Sequence, residues 1–165
     1  MANQEERPEL SLAGSVRGMR RLLLVHHTPS PALHAMFTAV VEGATDPELE
    51  GVTLVRRAAL AATASDVLEA DGYLLGTPAN IGYMSGALKH FFDTIYYPCL
   101  DSTRDRPFGF YVHGNEGTEG AERAIASIAK ALGWEQVAAP VVAMGKPDLA
   151  ACKELGGVVA ATVMS

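Results

Sequence analysis

Three short segments carry the residue types that bind a ligand through hydroxyls and exposed backbone. They are "HTPSPAL" (27–33), "TPANIGY" (77–83) and "HGNEGTEG" (113–120). Each follows an apolar run and is rich in Gly, Pro, Asn, Thr or Ser, a composition typical of loops. None has an aliphatic plug that would fill a crevice, so we expect ligand chemistry to be concentrated in these three segments.

The first segment has the composition of an anion site. Thr28 and Ser30 offer hydroxyls, and Ala32 and Leu33 offer backbone N–H groups at the start of a predicted helix. Hydroxyls and free N–H groups at a helix N-terminus are suited to binding a phosphate. An ordinary N-capped loop has the same composition, so the two interpretations both remain open on these residues alone.

Several other phosphate-binding and phosphotransfer motifs are missing from the sequence. The first apolar run ends in His-His-Thr (26–28), where a receiver domain needs acidic residues. There is no Gly-x-x-x-x-Gly-Lys-Ser/Thr of a P-loop NTPase. The third segment contains Gly-x-x-Gly-x-x-Gly, which is not the dinucleotide fingerprint and does not follow the first strand. A mononucleotide that carries a flat ring is the remaining ligand class.

Hydrophobic patterns place the three segments between strands and helices. The first helix has apolar residues at i, i+3, i+4, i+7 and i+8, which form one helical face. The strands are almost entirely apolar, as strands covered on both faces should be. The predicted strands are 21–27, 51–57, 73–76, 107–114 and a part of 134–144, and the predicted helices contain 33–43, 65–71, 84–95, 121–132 and a segment after 147.

Five strands that alternate with helices predict parallel βαβ units with right-handed crossovers. The predicted fold class is α/β: a flavodoxin-like doubly wound five-stranded parallel sheet of order 2-1-3-4-5, with helices on both faces. In this order the loops after strands 1, 3 and 4 meet at the switch point of the sheet, and these loops are the three segments above. Residues 20–165 are predicted to form this domain after a mobile tail, 1–19.

Composition limits the class of protein and its partners. The chain has 165 residues, of which 48% are hydrophobic and 19% charged, as in a single globular domain. Its net charge of −6 argues against a nucleic-acid partner. The aliphatic run 22–25 is too short to span a membrane. Cys99 and Cys152 form neither a disulfide framework nor a metal site, so we expect a cytoplasmic protein without bound metal.

The stretch "GTPANIGYMSGALKHFFD" (76–93) closely resembles the flavin mononucleotide loop and following helix of the flavodoxin-like NAD(P)H-dependent FMN and quinone reductases. The family pattern is Gly-Ser/Thr-Pro, a short loop, Met-Ser-Gly/Ala, an apolar-Lys/Arg pair and Phe-x-Asp. "VVEGA" (40–44) and "HGNEGTEGAE" (113–122) also resemble family segments, and the resemblance covers roughly 20–160. The matching residues of the long stretch are Thr77, Pro78, Gly82, Met84, Ser85, Gly86, Lys89, Phe92 and Asp93.

The resemblance implies FMN as the cofactor, NAD(P)H as the co-substrate and a small molecule as the electron acceptor. Residues 28–33 would hold the ribityl phosphate, 79–82 would border the pyrimidine side of the ring, and 113–117 would line its other side. No side chain is given a catalytic role, because the cofactor carries hydride chemistry at its N5. The predicted cofactor-binding residues are Thr28, Ser30, Ala32, Leu33, Thr77, Pro78, Ala79, Asn80, Ile81, Gly82, Tyr83, His113, Gly114, Asn115 and Gly117.

The resemblance also implies a homodimer or homotetramer, in which Tyr96 and Tyr97, which follow the third predicted helix, lie near the subunit interface. Two departures from the family pattern affect the prediction. Pro29 and Pro31 stand where the family commonly has N–H donors, which predicts weaker FMN binding. The chain also lacks the glycine- and histidine-bearing insertion of WrbA-type quinone reductases. A flavodoxin-like electron carrier, or an interaction domain without flavin, is the alternative function.

Overall fold

A computed structural model describes residues 19–165 of the chain. The predicted tail, 1–19, lies outside these residues apart from Met19, and it stays a prediction. The strands and helices follow in this order: β1 (Arg20–His26), α1 (Pro31–Ala44), β2 (Val52–Ala58), α2 (Ala64–Glu69), β3 (Gly72–Asn80), β4 (Tyr83–Met84), α3 (Gly86–Cys99), β5 (Pro107–His113), α4 (Thr118–Leu132), β6 (Glu135–Gln136), β7 (Val141–Ala143) and α5 (Leu149–Met164).

The sheet has the predicted doubly wound order. Its strands lie in the order β2-β1-β3-β5, and both β6 and β7 pair with β5 on the side away from β3. All of these pairs are parallel. With β6 and β7 taken together as the fifth strand, the order is 2-1-3-4-5, and the predicted fold class is confirmed.

The fifth strand is divided into two short pieces. β6 pairs with the beginning of β5, and β7 pairs with its end. Between them the Val137 N–H still donates to the Phe108 carbonyl at 3.1 Å, but the chain then leaves the ladder. Pro140 lies at this break and has no N–H to donate to a neighbouring strand, which accounts for the interruption.

The third strand is longer than its apolar run predicts. The sequence predicts a strand at 73–76 and a loop from Thr77 onward, whereas β3 continues to Asn80. β1 pairs with β3 only as far as Gly76, so beyond this residue β3 has β5 as its one parallel neighbour. Pro78 therefore lies where one side of the strand needs no ladder hydrogen bond, and a proline is tolerated there.

Helices cover both faces of the sheet, as predicted. One hydrophobic core packs α2, α3 and α4 against the sheet, and a second packs α1 and α5 against its other face. Consecutive residues of β1 alternate between them: Leu23 and Val25 belong to the first core, and Leu22 and Leu24 to the second. This alternation explains why the strands read as continuous apolar runs.

The N-cap of the short helix α2 lies two residues before Ser65, where the predicted helix 65–71 begins. Thr63 is the N-cap: its hydroxyl accepts from the Asp66 N–H at 3.2 Å, and the Asp66 carboxylate accepts from the Thr63 N–H at 2.9 Å. This reciprocal capping box pairs two backbone donors at once, which a cap at Ser65 would not do. Within residues 19–165, no helix is long and apolar enough to cross a membrane.

Candidate functional site

The carboxyl ends of the three central strands lie side by side. In the register of the sheet, Gly76 of β3 lies between His26 of β1 and Tyr111 of β5. Further along, Pro78 pairs with His113. The loops after β1 and β5 therefore begin on either side of the strand that runs into the "TPANIGY" segment, at the edge where ligands bind in open parallel sheets.

The "TPANIGY" segment is a tight hairpin rather than an open loop. β4 turns back on β3 with Asn80 paired to Tyr83, so Ile81 and Gly82 are the two turn residues. Their φ angles are 50° and 72°, as a two-residue turn of type I′ requires. Ile81 is fully exposed, and a Cβ on Gly82 would meet no atom within 4 Å. The turn presents its backbone to open space.

The glycine-rich third segment packs directly on this hairpin. A Cβ on Gly117 would lie 2.8 Å from the Gly82 Cα, and a Cβ on Gly120 would lie 1.8 Å from the Gly82 carbonyl oxygen. A Cβ on Gly114 would lie 2.8 Å from the Ala79 Cβ. The Gly-x-x-Gly-x-x-Gly spacing therefore serves close contact between two backbones, which only residues without a side chain allow.

A cleft of about 850 Å³ lies between the hairpin and the third segment. This volume is in the range of ligand-binding clefts, roughly 300–1,000 Å³. Six of its seven lining residues belong to the predicted set, and the seventh is Glu116. The cleft is lined by Ala79, Asn80, Ile81, Gly82, Asn115, Glu116 and Gly117.

Hydrogen bonds of Thr77 and Ser85 connect the β3–β4 hairpin to the start of α3. The Thr77 hydroxyl is buried; it donates to the Pro78 carbonyl at 2.8 Å and accepts from the Ser85 N–H at 3.0 Å. Ser85 is in turn the N-cap of α3, and its hydroxyl accepts from the Leu88 N–H. Thr77, Pro78 and Tyr83 do not line the cleft, and the contacts of Thr77 anchor the β3–β4 connection to the next helix.

His113 and Gly114 lie at the other side of the site and contact the segment after β7. His113 Nε2 lies 2.7 Å from the Gly145 carbonyl oxygen and donates a hydrogen bond to it. The Gly114 N–H donates to the Ala143 carbonyl at 3.1 Å. Neither residue lines the cleft. His113 Nε2 is thus already bonded within the chain, and Nδ1 is the ring atom left for a ligand.

The segment after β1 forms a separate group of donors. Ser30 is the N-cap of α1, and its hydroxyl accepts from the Leu33 N–H at 3.2 Å. The Leu33 N–H is therefore occupied. Ala32, in the first turn, has no intrahelical acceptor for its N–H, as is general for that position. The residues of this segment do not line the cleft of the hairpin.

His26 is the last residue of β1 and lies beside the first of the three segments. Its Nδ1 lies 2.7 Å from the Thr28 hydroxyl oxygen, and its ring lies 4.3 Å from that of Phe37 on α1. Burial lowers the pKa of His26, and the positive charges of His27 and Arg56 lower it further. No sequence signal identified this contact, because alternation along a strand does not specify which face a residue takes.

A second cleft, of about 410 Å³, lies between α1 and α5. None of its lining residues belongs to the loops after β1, β3 or β5. Acidic side chains dominate its polar lining, with Lys153 as the basic residue. Within residues 19–165, no group of three or more His, Cys, Asp or Glu is arranged to bind a metal ion.

The fold is that of the flavodoxin-like proteins. The WrbA-like flavodoxin of Agrobacterium tumefaciens superimposes with a TM-score of 0.70 at 20% identity, over 87% of this chain and 97% of that one. A flavodoxin from the domain Archaea gives a TM-score of 0.72 at 19% identity, over 88% and 99% of the two chains. At these identities the similarity establishes the fold alone.

Comparison with protein families gives the more specific result. The family described as NADPH-dependent FMN reductase matches residues 26–148, and the chain belongs to this family. A flavodoxin of Aquifex aeolicus (strain VF5) is 36% identical over 77 residues, which are 47% of this chain and 40% of that protein. The chain thus matches two fifths of the length of this relative. The predicted family is confirmed, and it supports a flavin-dependent oxidoreductase or electron-carrier role with FMN as the cofactor.

Proposed function

We propose that this protein is an FMN-dependent oxidoreductase that transfers electrons from NAD(P)H to a small acceptor such as a flavin or a quinone. The observation that carries the proposal is the cleft between the exposed turn Ile81–Gly82 and the third segment. It lies beyond the carboxyl ends of β3 and β5, at the edge of the sheet where open α/β folds bind ligands. The chain belongs to the FMN reductase family. The lining of the cleft combines backbone exposed at Gly82 and Gly117 with the amide side chains of Asn80 and Asn115, and both can hydrogen-bond the edge of a flat ring.

The residues present fit FMN on two criteria. The cleft offers open space at Gly82, where the chain approaches without a side chain. The segment after β1 offers hydroxyls on Thr28 and Ser30 and the N–H of Ala32, a donor set suited to a phosphate. We assign 28–33 to the phosphate and the residues of the cleft to the ring. His113 and Gly114 would border the ring from β5.

When bound, FMN supplies hydride and electron transfer, so the chain needs no nucleophile or general base. Its own residues bind and orient the ring and leave one face open to the co-substrate. Backbone N–H groups at 80–82 and 115–117 would favour negative charge on the reduced ring, whereas the Gly114 N–H is already bonded to the Ala143 carbonyl. Glu116, exposed at the cleft, opposes that charge if its carboxylate turns inward. The balance between the backbone N–H groups and the Glu116 carboxylate would set how readily the bound flavin accepts electrons.

Flavin binding tests the proposal directly. The purified chain is incubated with excess FMN, and we expect a bound-flavin spectrum together with quenched flavin fluorescence. Bleaching by NADPH under anaerobic conditions then tests hydride transfer. Failure to bind FMN overturns the reductase. Binding with rapid reduction by dithionite but none by NADPH favours the alternative, an electron carrier.

A glycine pair tests whether the cleft is the flavin site. Gly117→Ala places a Cβ 2.8 Å from the Gly82 Cα, and we expect FMN affinity to fall at least tenfold. Gly51→Ala is the matched control: Gly51 has a similar positive φ, 86° against 70°, but a Cβ there meets nothing within 4 Å. Both variants force alanine into a left-handed backbone conformation, which lowers stability in each. A loss of FMN binding in both would therefore reflect this general destabilisation and would count against the assignment.

We also propose a cytoplasmic homodimer or homotetramer. The support is the family resemblance together with Tyr97 near the end of α3, whose side chain is 81% exposed and forms an edge-on pair with Tyr96. A large aromatic ring in such a position is a common interface residue. Light scattering at micromolar concentration measures the assembly directly, and a monomer there would contradict the proposal.

A further inference from the structure

We infer that His26 is a positioning residue for the cofactor phosphate: its Nδ1–H turns the Thr28 hydroxyl so that this hydroxyl donates to the phosphate of FMN. The inference rests on the proposed function. In this arrangement His26 does not contact the phosphate; it orients the hydroxyl proton of Thr28, which does.

The geometry is that of a direct hydrogen bond. His26 is the last residue of β1, and its Nδ1 lies 2.7 Å from the Thr28 Oγ1 two residues later. The ring is held against Phe37 of α1 at a centroid distance of 4.3 Å. Since both rings are partly buried, the imidazole has a defined position beside the first loop rather than a free rotation in solvent.

The Thr28 hydroxyl matters because this loop has few other donors. Pro29 and Pro31 have no N–H, and the N–H of Leu33 is bonded to the Ser30 hydroxyl. A phosphate bound here therefore depends more on hydroxyl donors than one bound to a loop of free amides would. The loss of a single hydroxyl donor should have a correspondingly large effect on affinity.

The hydrogen bond between His26 and Thr28 can run in either direction, and the two directions differ in function. If the hydroxyl donates to Nδ1, its proton is occupied and the oxygen presents lone pairs to the loop. If Nδ1–H donates to the hydroxyl oxygen, the hydroxyl proton is free to point at an anion. A phosphate oxygen accepts only. FMN binding therefore selects the form of His26 that carries a proton on Nδ1, either that neutral tautomer or the imidazolium.

The surroundings of His26 oppose its protonation before a phosphate binds. His27 follows it as the first residue after β1, Arg56 lies on the adjacent strand β2, and Tyr111 of β5 lies across Gly76 in the same row of the sheet. Burial and the charges of His27 and Arg56 lower the pKa of His26, while the side chain contributed by α1 is the uncharged ring of Phe37. A phosphate dianion beside the loop acts in the opposite sense and raises that pKa.

The decisive measurement is the titration of His26 by NMR in the wild-type chain, with its signal assigned by comparison with His26→Asn. We expect the pKa of His26 to rise when FMN is added and to stay unchanged with riboflavin, which has the same ring but no phosphate. An equal pKa in the free and FMN-bound protein would overturn the inference. If FMN does not bind at all, the proposed function fails first, so the two failures are distinguishable.

Variants give an independent readout in FMN affinity, measured by fluorescence quenching between pH 5 and pH 8. His26→Leu removes the donor that orients the Thr28 hydroxyl, and we expect FMN binding to weaken by up to roughly tenfold, since complete loss of one hydrogen bond to a charged group sets the upper bound. His26→Asn places an amide N–H near the position of Nδ1 and should restore most of the affinity. As the pH falls, the FMN affinity of the wild type should rise relative to that of His26→Asn. Titration of the phosphate affects both proteins alike, so the ratio of the two affinities reports on the protonation of His26 alone.

Two controls complete the experiment. Riboflavin affinity should be the same in the wild type and in His26→Leu, since no phosphate is present. In a Thr28→Val background, His26→Leu should have no further effect on FMN binding, because the hydroxyl that His26 orients is gone. Equal FMN affinity of the wild type, His26→Leu and His26→Asn at every pH contradicts the inference. If His26→Leu does not fold, the NMR titration of the wild type decides alone.

Discussion

Ile81 is the residue at which local preference and native geometry conflict most. It is β-branched, its φ is 50°, and it is fully exposed. Such a backbone conformation is a genuine outlier for this side chain, and burial of the side chain does not compensate for it. Strained residues of this kind occur at ligand sites, and Ile81 lines the proposed flavin cleft.

Replacing Ile81 with asparagine tests this interpretation. Ile81→Asn creates Asn-Gly, the preferred pair of a type I′ turn, and we expect the free energy of unfolding to rise by about 0.5–1 kcal/mol. Urea denaturation measures the change. FMN affinity or turnover should fall in the same variant, since an apolar contact beside the ring is lost. A less stable variant would show that the isoleucine side chain makes a stabilising contact instead.

At the scale of elements, the closest packing is between α1 and α5. A Cβ on Gly156 would lie 2.2 Å from the Val40 carbonyl oxygen, and one on Gly43 would lie 1.9 Å from the Lys153 carbonyl oxygen. The two helix backbones therefore touch at glycines. The neighbouring Gly157 differs, because a Cβ there would be 3.7 Å from the Gly43 carbonyl oxygen, an ordinary contact.

This pair of adjacent glycines gives a matched prediction. Gly156→Ala should lower the free energy of unfolding by roughly 2 kcal/mol or more, since the methyl group forces the helices apart. Gly157→Ala should raise it by up to about 1 kcal/mol, because alanine is the better helix former and the space exists. Thermal or urea unfolding of both variants measures the difference. Equal destabilisation by the two would contradict the observed packing.

A second element-scale feature is the support of α2 by a distant arginine. Arg106 Nη1 donates to the carbonyls of Val67, Leu68 and Ala70 at 3.2, 3.0 and 2.7 Å. A helix of six residues is marginal by itself, and its last carbonyls lack intrahelical donors. The guanidinium satisfies them from the start of β5, so the end of α2 is determined by a residue more than thirty positions away.

At the scale of the whole molecule, each face of the sheet buries one tyrosine. Tyr73 lies in the core of α2, α3 and α4, and Tyr111 in the core of α1 and α5. Burial raises the pKa of Tyr73 to about 12 and raises that of Tyr111 as well. The Tyr73 hydroxyl donates to the Val67 carbonyl at 2.6 Å, whereas that of Tyr111 has no partner among the described residues.

These tyrosines predict a loss of stability in alkali. An unfolded tyrosine ionises near pH 10, while folded Tyr73 keeps its proton up to about pH 12. Between these values the native state holds more protons than the unfolded state, so the free energy of unfolding falls as the pH rises. Urea unfolding at several pH values from 9 to 11.5 measures the slope. Tyr73→Phe should flatten it, and an unchanged slope in that variant would contradict the assignment.

Much of the fold follows from local patterns in the chain. Apolar spacing located α1, α3 and α4, and continuous apolar runs located β1, β2 and β5, because both signals depend on neighbours within one or two turns. The extension of β3 through Pro78 was not predicted. A Thr-Pro pair indicates a loop by local preference, and its place in the sheet depends on β1 ending its pairing at Gly76.

The candidate site also has features that local sequence predicts and features that depend on tertiary contacts. By itself the sequence determined the α/β alternation, the strand order, the three segments that follow the central strands and the family, since these depend on residue types, short spacings and one motif. Only the tertiary structure decided that Gly117 and Gly120 pack against Gly82, and that His26 lies within hydrogen-bond distance of the Thr28 hydroxyl. Contacts of this kind depend on which strands are neighbours and which face each residue takes, and both are properties of the assembled sheet rather than of any local stretch of chain.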